Sequence, residues 1–127
     1  MIYLDTSSAV KALVDEPGSD LVRAVFAAGD ALVSSRLLRV ELHAAAGRRR
    51  LDASGVDEVL ARVALVGIDD ELLDRAVQLG SGLRTLDALH LATAVDLAAD
   101  IESILAHDRE LITAARREGI PAHPACA

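Results

Sequence analysis

Four acidic side chains, Asp5, Glu41, Asp87 and Asp108, have a spacing and a placement that could bring them to one site. Glu41 has Leu37, Leu38, Ala44 and Ala45 as its helical neighbours three and four residues away, so on a helix it projects from the face that should be buried. A buried carboxylate without a cation is costly enough to become protonated or to demand a partner. Asp87 and His90 stand one turn apart in the stretch LRTLDALHLATA, which is otherwise nearly all apolar. Asp87 also reads as an ordinary first-turn acid favoured by the helix dipole, with Thr85 as its cap. Polar residues recur at Asp87, His90, Thr93 and Asp96, and a spacing of three drifts steadily around a helix of 3.6 residues per turn. Asp87 and Asp96 therefore point in roughly opposite directions and one flat solvent face cannot hold both, which favours Asp87 in a cleft and Asp96 at the surface over a plain wet stripe. Asp5 and Asp108 each follow a short apolar run. Two carboxylates within about 4 Å repel by about 4 kcal/mol at an effective dielectric of about 20, so a cluster of four calls for a cation. All-oxygen ligation selects Mg2+ or Mn2+ over zinc. Such an ion binds phosphate, acidifies water and stabilises a leaving oxygen, which is the machinery of phosphodiester hydrolysis.

The elements that must position these acids alternate. MIYL is a strand candidate ending at Asp5, and SSAVKALVDE is helical until the Pro17-Gly18 breaker. SDLVRAVFAAG is a second amphipathic helix, ALVSS a strand, and RLLRVELHAAAGRRR a third helix carrying Glu41. SGVDEVLARVAL predicts a helix running into a strand at LVGID, followed by a helix over DELLDRAVQLG. After Gly80-Ser81-Gly82 comes the Asp87 helix, roughly Leu86 to Ala99. IESILAH is a strand ending at Asp108, RELITAARREG a helix, and IPAH a possible last short strand. Strands alternating with helices imply a parallel sheet covered on both faces. In such sheets ligands sit outside the carboxyl ends of the strands, near the point where strand order reverses. Asp5 and Asp108 fall at that edge by topology alone.

Composition narrows the class. The chain has 127 residues, 52% of them hydrophobic and 26% charged, which fits one globular domain. No run approaches the roughly 20 apolar residues that span a bilayer, and the N-terminus lacks a secretion-signal layout. With a single cysteine, Cys126, no internal disulfide forms, and a cytoplasmic location is expected. The net charge of −7 opposes a polyanionic partner at first sight, yet Arg48, Arg49 and Arg50 form a run with Arg36 and Arg39 shortly before it. These five arginines are candidates for an RNA-binding rim, and equally for a solvated helix end favoured by its dipole. Tyr3 and Phe26 are the only aromatics, so a base-stacking platform is not expected. Gly80 to Gly82 reads as a helix cap, since no Gly-Lys-Ser/Thr follows it.

With YLDTSSAVKAL, SSRLLRVEL, LRTLDALHLATA and AHDRELITAARREGI in hand, the chain resembles PIN-domain ribonucleases, and among them the VapC toxins of bacterial toxin–antitoxin pairs. The resemblance extends over essentially the whole chain, and DALHLATA is its most specific part. It implies a single PIN domain over residues 1–127, with a three-layer α/β fold whose short, mostly parallel sheet is flanked by helices. It further implies a metal-dependent endoribonuclease using Mg2+, with Mn2+ as a possible substitute, that forms a homodimer and is inhibited by a cognate VapB-type antitoxin. Carried over by position, Asp5, Glu41, Asp87 and Asp108 are the catalytic, metal-binding quartet, and Thr6 or Ser7 supplies a hydroxyl that orients Asp5. A basic antitoxin segment agrees with the −7 charge.

One position departs from the family pattern. The family often has Thr or Ser two residues before its last acid, where this chain has Ala106. That departure keeps open an alternative, a PIN fold weakened in catalysis that binds RNA or a partner. A receiver domain, another small α/β unit with an acidic Mg2+ pocket, is excluded because the only lysine, Lys11, lies in the first helix rather than late in the chain.

Overall fold

A computed structural model describes residues 1–126. Four short strands form one sheet: β1 (Ile2–Leu4), β2 (Leu32–Ser35), β3 (Val63–Val66) and β4 (Ser103–Leu105). All pairings are parallel and the strand order is β3-β2-β1-β4. The chain leaves β1 for β2 and then β3 in one direction, and returns to the other side of β1 only for β4. Strand order thus reverses between β1 and β4, and a crevice opens at their carboxyl ends.

Seven helices cover the sheet among the described residues: α1 (Thr6–Ala9), α2 (Ser19–Ala27), α3 (Leu37–Arg48), α4 (Ala53–Leu60), α5 (Asp70–Leu79), α6 (Thr85–Asp96) and α7 (Arg109–Arg117). Side chains alternate across each strand, so two separate cores result. Ile2, Leu4, Leu32, Val63 and Leu105 pack with Val25, Leu38, Leu42 and Val56 of the helices α2 to α4. Tyr3, Val33 and Ile104 face the other way, against Leu91 of α6 and Leu111, Ala114 and Ala115 of α7. The result is the three-layer α/β fold expected from the sequence. No helix among the described residues is long and apolar enough to cross a membrane.

Several boundaries differ from the sequence expectation. The first helix stops early: a 3-10 turn over Val10–Ala12 ends it, not Pro17. Ser19 Oγ donates to the Val14 carbonyl at 2.7 Å and accepts from the Glu16 amide at 3.0 Å, so this segment is held by Ser19 instead of by helical bonds. The helix expected through LARVAL ends at Leu60, and β3 begins at Val63 instead of Leu65, because the pairing of Val63 with Leu32 extends the sheet by two residues. IPAH contributes one parallel bridge, between Ala122 and Ile104. Gly80 ends α5 in the left-handed conformation at φ 55°, the helix cap its position suggested. Asp96 is on the surface, paired with Arg75 at 3.2 Å.

Candidate active site

Two of the four acids cap helices that start directly after the central strands. Asp5 follows β1 and caps α1, its Oδ2 accepting from the Ser7 amide at 3.1 Å and the Ser7 hydroxyl at 2.5 Å. Asp108 follows β4 and caps α7, its Oδ1 accepting from the amides of Glu110 and Leu111 at 2.9 and 3.2 Å. Capping is an ordinary use of aspartate. Here it engages one oxygen of each carboxylate and fixes the direction of the other. Ser7 also ties the two strand ends together, since its hydroxyl accepts from the His107 amide at 2.9 Å.

Glu41 enters from α3. Its Oε1 accepts from the Thr6 hydroxyl at 3.0 Å and meets His90 Nε2 at 2.6 Å. Thr6 therefore serves Glu41, and Ser7 alone of the pair bonds to Asp5, since consecutive side chains point about 100° apart around α1. His90 lies on α6, fully buried, with its other ring nitrogen 2.7 Å from the Tyr3 hydroxyl and its Nε2 3.8 Å from Asp5 Oδ1. In sequence His90 stands out only as a polar residue one turn from Asp87. It is the hub that connects a buried tyrosine to two acids. Burial opposes its charge, but the hydrogen bond to Glu41 and the charges of Asp5, Glu41 and Asp87 outweigh that and raise its pKa.

Asp87 stands in the first turn of α6, half-buried. Its carboxyl is pushed up to about 6, first by burial, then by the charges of Asp108, Asp5 and Glu41, with His90 opposing. The charges that act on Asp87 thus come from the acid at the end of β1, the acid on α3 and the acid after β4. His107, next to Asp108, has Nδ1 2.7 Å from Ser8 Oγ and a buried Nε2 without a partner among the described residues, and burial lowers its pKa.

The donor set suits a hard divalent cation, since carboxylate oxygens dominate it. Among the described residues no three His, Cys, Asp or Glu side chains are gathered tightly enough to cage an ion by themselves. Mg2+ characteristically binds through one or two carboxylates, retains several waters and completes its shell with substrate phosphate, so an open acidic site fits it better than a closed cage.

The arginines divide. Arg48 and Arg49, at the end of α3, line a groove of about 620 Å³ that also contains Thr6, Ser7 and Glu41. Arg36, Arg39 and Arg50 are exposed elsewhere on the surface, outside that groove. Ala106, fully buried, packs with Tyr3, Ile104 and Leu91 in the core beneath α6 and α7.

Carboxylates from the ends of β1 and β4 and from α3 and α6 thus line the strand-order reversal of a small parallel α/β sheet in a three-layer domain. Residues 2–117 match the family model described as PIN domain. Ribonuclease VapC46 of Mycobacterium tuberculosis (strain ATCC 25618 / H37Rv) is 38% identical over 130 residues, covering 94% of this chain and 93% of that protein. Ribonuclease VapC47 of M. tuberculosis (strain CDC 1551 / Oshkosh) is 33% identical over 129 residues, with the same coverage of 94% and 93%. The crystal structure of M. tuberculosis VapC20, titled a sarcin-ricin loop cleaving toxin, superposes with a TM-score of 0.74 over 90% of this chain and 95% of that one, at 16% identity. The chain belongs to the PIN-domain family, among its VapC-type members.

Proposed function

We propose that this chain is a ribonuclease toxin that hydrolyses RNA phosphodiester bonds at Asp5, Glu41, Asp87 and Asp108 with a divalent cation, Mg2+ or Mn2+, and that a cognate VapB-type antitoxin restrains it. The observation that carries the reading is geometric: Asp5 and Asp108 follow the paired strands β1 and β4, one His90 nitrogen lies 2.6 Å from Glu41 and 3.8 Å from Asp5, and Asp87 stands one turn before His90 on α6. Four acids at one strand edge, with His90 the only basic side chain bonded to them among the described residues, suit a cation. The names of the VapC relatives support RNA as substrate and an antitoxin as partner. A homodimer in the cytoplasm completes the reading by family likeness.

Asp5, Asp87 and Asp108 would hold the ion, with Glu41 completing the site. When bound, it would supply positive charge to the scissile phosphate and lower the pKa of a neighbouring water. The protein's share is preorganisation. Ser7 and the α7 amides fix Asp5 and Asp108, while Thr6 and His90 fix Glu41, so little reorganisation is needed when substrate arrives. In the reaction a water oxygen bonds to phosphorus, the bond from phosphorus to the 3′-oxygen breaks, and a proton goes to that oxygen. The products are a 5′-phosphate and a 3′-hydroxyl.

The test is cleavage of total cellular RNA by the purified, antitoxin-free chain in Mg2+, Mn2+ and EDTA. Discrete metal-dependent fragments with 5′-phosphates, lost in Asp5→Asn and Asp87→Asn, are expected. Fragments ending in a 2′,3′-cyclic phosphate would make the RNA's own 2′-hydroxyl the nucleophile and overturn the hydrolytic scheme.

A further inference from the structure

The groove that opens from Thr6, Ser7 and Glu41 changes character along its length. Along α3 its wall runs from Glu41 past Ala44 and Ala45 to Arg48 and Arg49, and Lys11, Val40 and Leu86 also line it. Inside the cationic end lies a single acid, Glu16. Its Oε1 is 3.2 Å from Lys11 Nζ and its Oε2 is 3.5 Å from Arg49 Nη1. Glu16 thus bridges one cation from the turn after α1 and one from the end of α3, occupying the position between them with two oxygens. Lys11 holds the Glu16 carboxyl below its ordinary range, with Arg49 acting in the same direction. Lys11 Nζ is also anchored to the Pro17 carbonyl at 2.7 Å, which keeps the ammonium at the groove whether or not Glu16 is beside it.

We propose that Lys11, Arg48 and Arg49 form a phosphate subsite for the RNA strand next to the scissile bond, and that Glu16 is an internal anion which the incoming phosphate displaces. The inference rests on the ribonuclease reading for the identity of the strand. A polyanion fits the end of the groove where three basic side chains stand against one acid. A basic antitoxin segment fits only the acidic end and is repelled at Lys11, Arg48 and Arg49. The two oxygens of Glu16 show the spacing at which these cations accept an anion, and the apolar walls leave room for a base without requiring an aromatic platform.

The experiment is fluorescence anisotropy with a labelled single-stranded RNA dodecamer of mixed sequence, in EDTA to prevent cleavage, from 50 to 200 mM NaCl. Glu16→Gln is expected to tighten binding several-fold. Lys11→Met combined with Arg49→Gln is expected to weaken binding and to reduce the slope of log affinity against log salt by about 0.7, the share of one phosphate on a single strand. In that double background Glu16→Gln should have no effect, a signature that general charge does not produce. Unchanged affinity in Glu16→Gln, or an unchanged salt slope in the double variant, would overturn the proposal. So would a short arginine–leucine peptide whose binding depends on these residues while RNA binding does not. Cleavage of total RNA by the same variants and by Asp5→Asn separates the two readings. Loss of cleavage in Asp5→Asn with unaltered slopes sinks the subsite alone. Altered slopes with cleavage insensitive to Asp5→Asn sink the catalytic assignment alone.

Discussion

His90 Nε2 lies 2.6 Å from Glu41 Oε1, while Nδ1 on the same ring lies 2.7 Å from the Tyr3 hydroxyl. The imidazole is fully buried and the carboxylate is only partly so, which places a rigid donor behind an acid at the cleft. Nε2 donates to Glu41 whether the ring is neutral or charged. Burial pushes the Tyr3 hydroxyl upward in pKa, so it remains an O–H at any working pH. Glu41 is therefore positioned from the core outward, by a chain of hydrogen bonds that starts on β1 and crosses to α6.

That chain predicts different outcomes for its members. Tyr3→Phe leaves His90 Nδ1 buried without its partner and should destabilise the fold by about 1–3 kcal/mol, read by urea unfolding. His90→Leu removes the donor to Glu41 and should lower both Mn2+ affinity and cleavage. His90→Gln retains an N–H donor and should recover part of both. Equal loss in the two His90 variants would limit His90 to packing.

Asp87 carries the pH prediction. Its carboxyl stands at about 6 in the fold against an ordinary 3.8. An acid whose pKa is raised on folding binds more protons in the native state, so it subtracts stability as pH rises from about 4 to about 6, and the full loss persists above that. In EDTA at pH 7.5, Asp87→Asn should therefore melt above the wild type, with the advantage shrinking as pH falls through 6 toward 4. With Mn2+ present the order should reverse, because only the wild type gains from the ion.

Arg50 is the one non-glycine residue with positive φ, at 57°, among the described residues. It occupies the left-handed position that ends α3, where the Leu51 amide reaches back to the Ala46 carbonyl at 2.9 Å and its own amide to Gly47 at 3.2 Å. Glycine is the usual residue in this motif. Arg50→Gly should stabilise the protein by about 1 kcal/mol, a rise of a few degrees in Tm. Because Arg50 lies outside the groove, RNA binding should change little.

How much of this was legible in the chain depended on the range of the interactions. Glu41 and Asp87 stood out because helical neighbours are fixed by local spacing, and Asp5 and Asp108 because parallel strands put their ends on one edge. The bond between Tyr3 and His90 spans 87 residues and follows from how α6 lies on β1, which periodicity does not encode. The arginine run looked uniform in sequence, yet only the rotation of α3 decides that Arg48 and Arg49 line the groove and that Arg36, Arg39 and Arg50 do not. Glu16 was hidden for a related reason. On a single helix through SSAVKALVDE, Lys11 and Glu16 would stand about 140° apart, whereas the helical turns end at Ala12 and bring the two within 3.2 Å.

The final prediction concerns the hydroxyl near the last acid. The family pattern favours Thr or Ser at position 106, and its absence suggested a weakened site. The fully buried Ala106 packs with Tyr3, Leu91 and Ile104, so Ala106→Thr would press a hydroxyl and a methyl group into a filled apolar core. It should cost about 1–3 kcal/mol in unfolding free energy without raising cleavage. In this chain the hydroxyl bonded to Asp5 is that of Ser7, which joins Asp5 Oδ2 to the backbone of His107 and so couples the ends of β1 and β4. Ser7→Ala should lower Mn2+ affinity or cleavage by about 10–100-fold, the usual effect of removing a group that orients a ligand. Isothermal titration with Mn2+ and single-turnover cleavage would check both. A gain in cleavage from Ala106→Thr, with Ser7→Ala indifferent, would move the orienting role from the start of α1 to the end of β4.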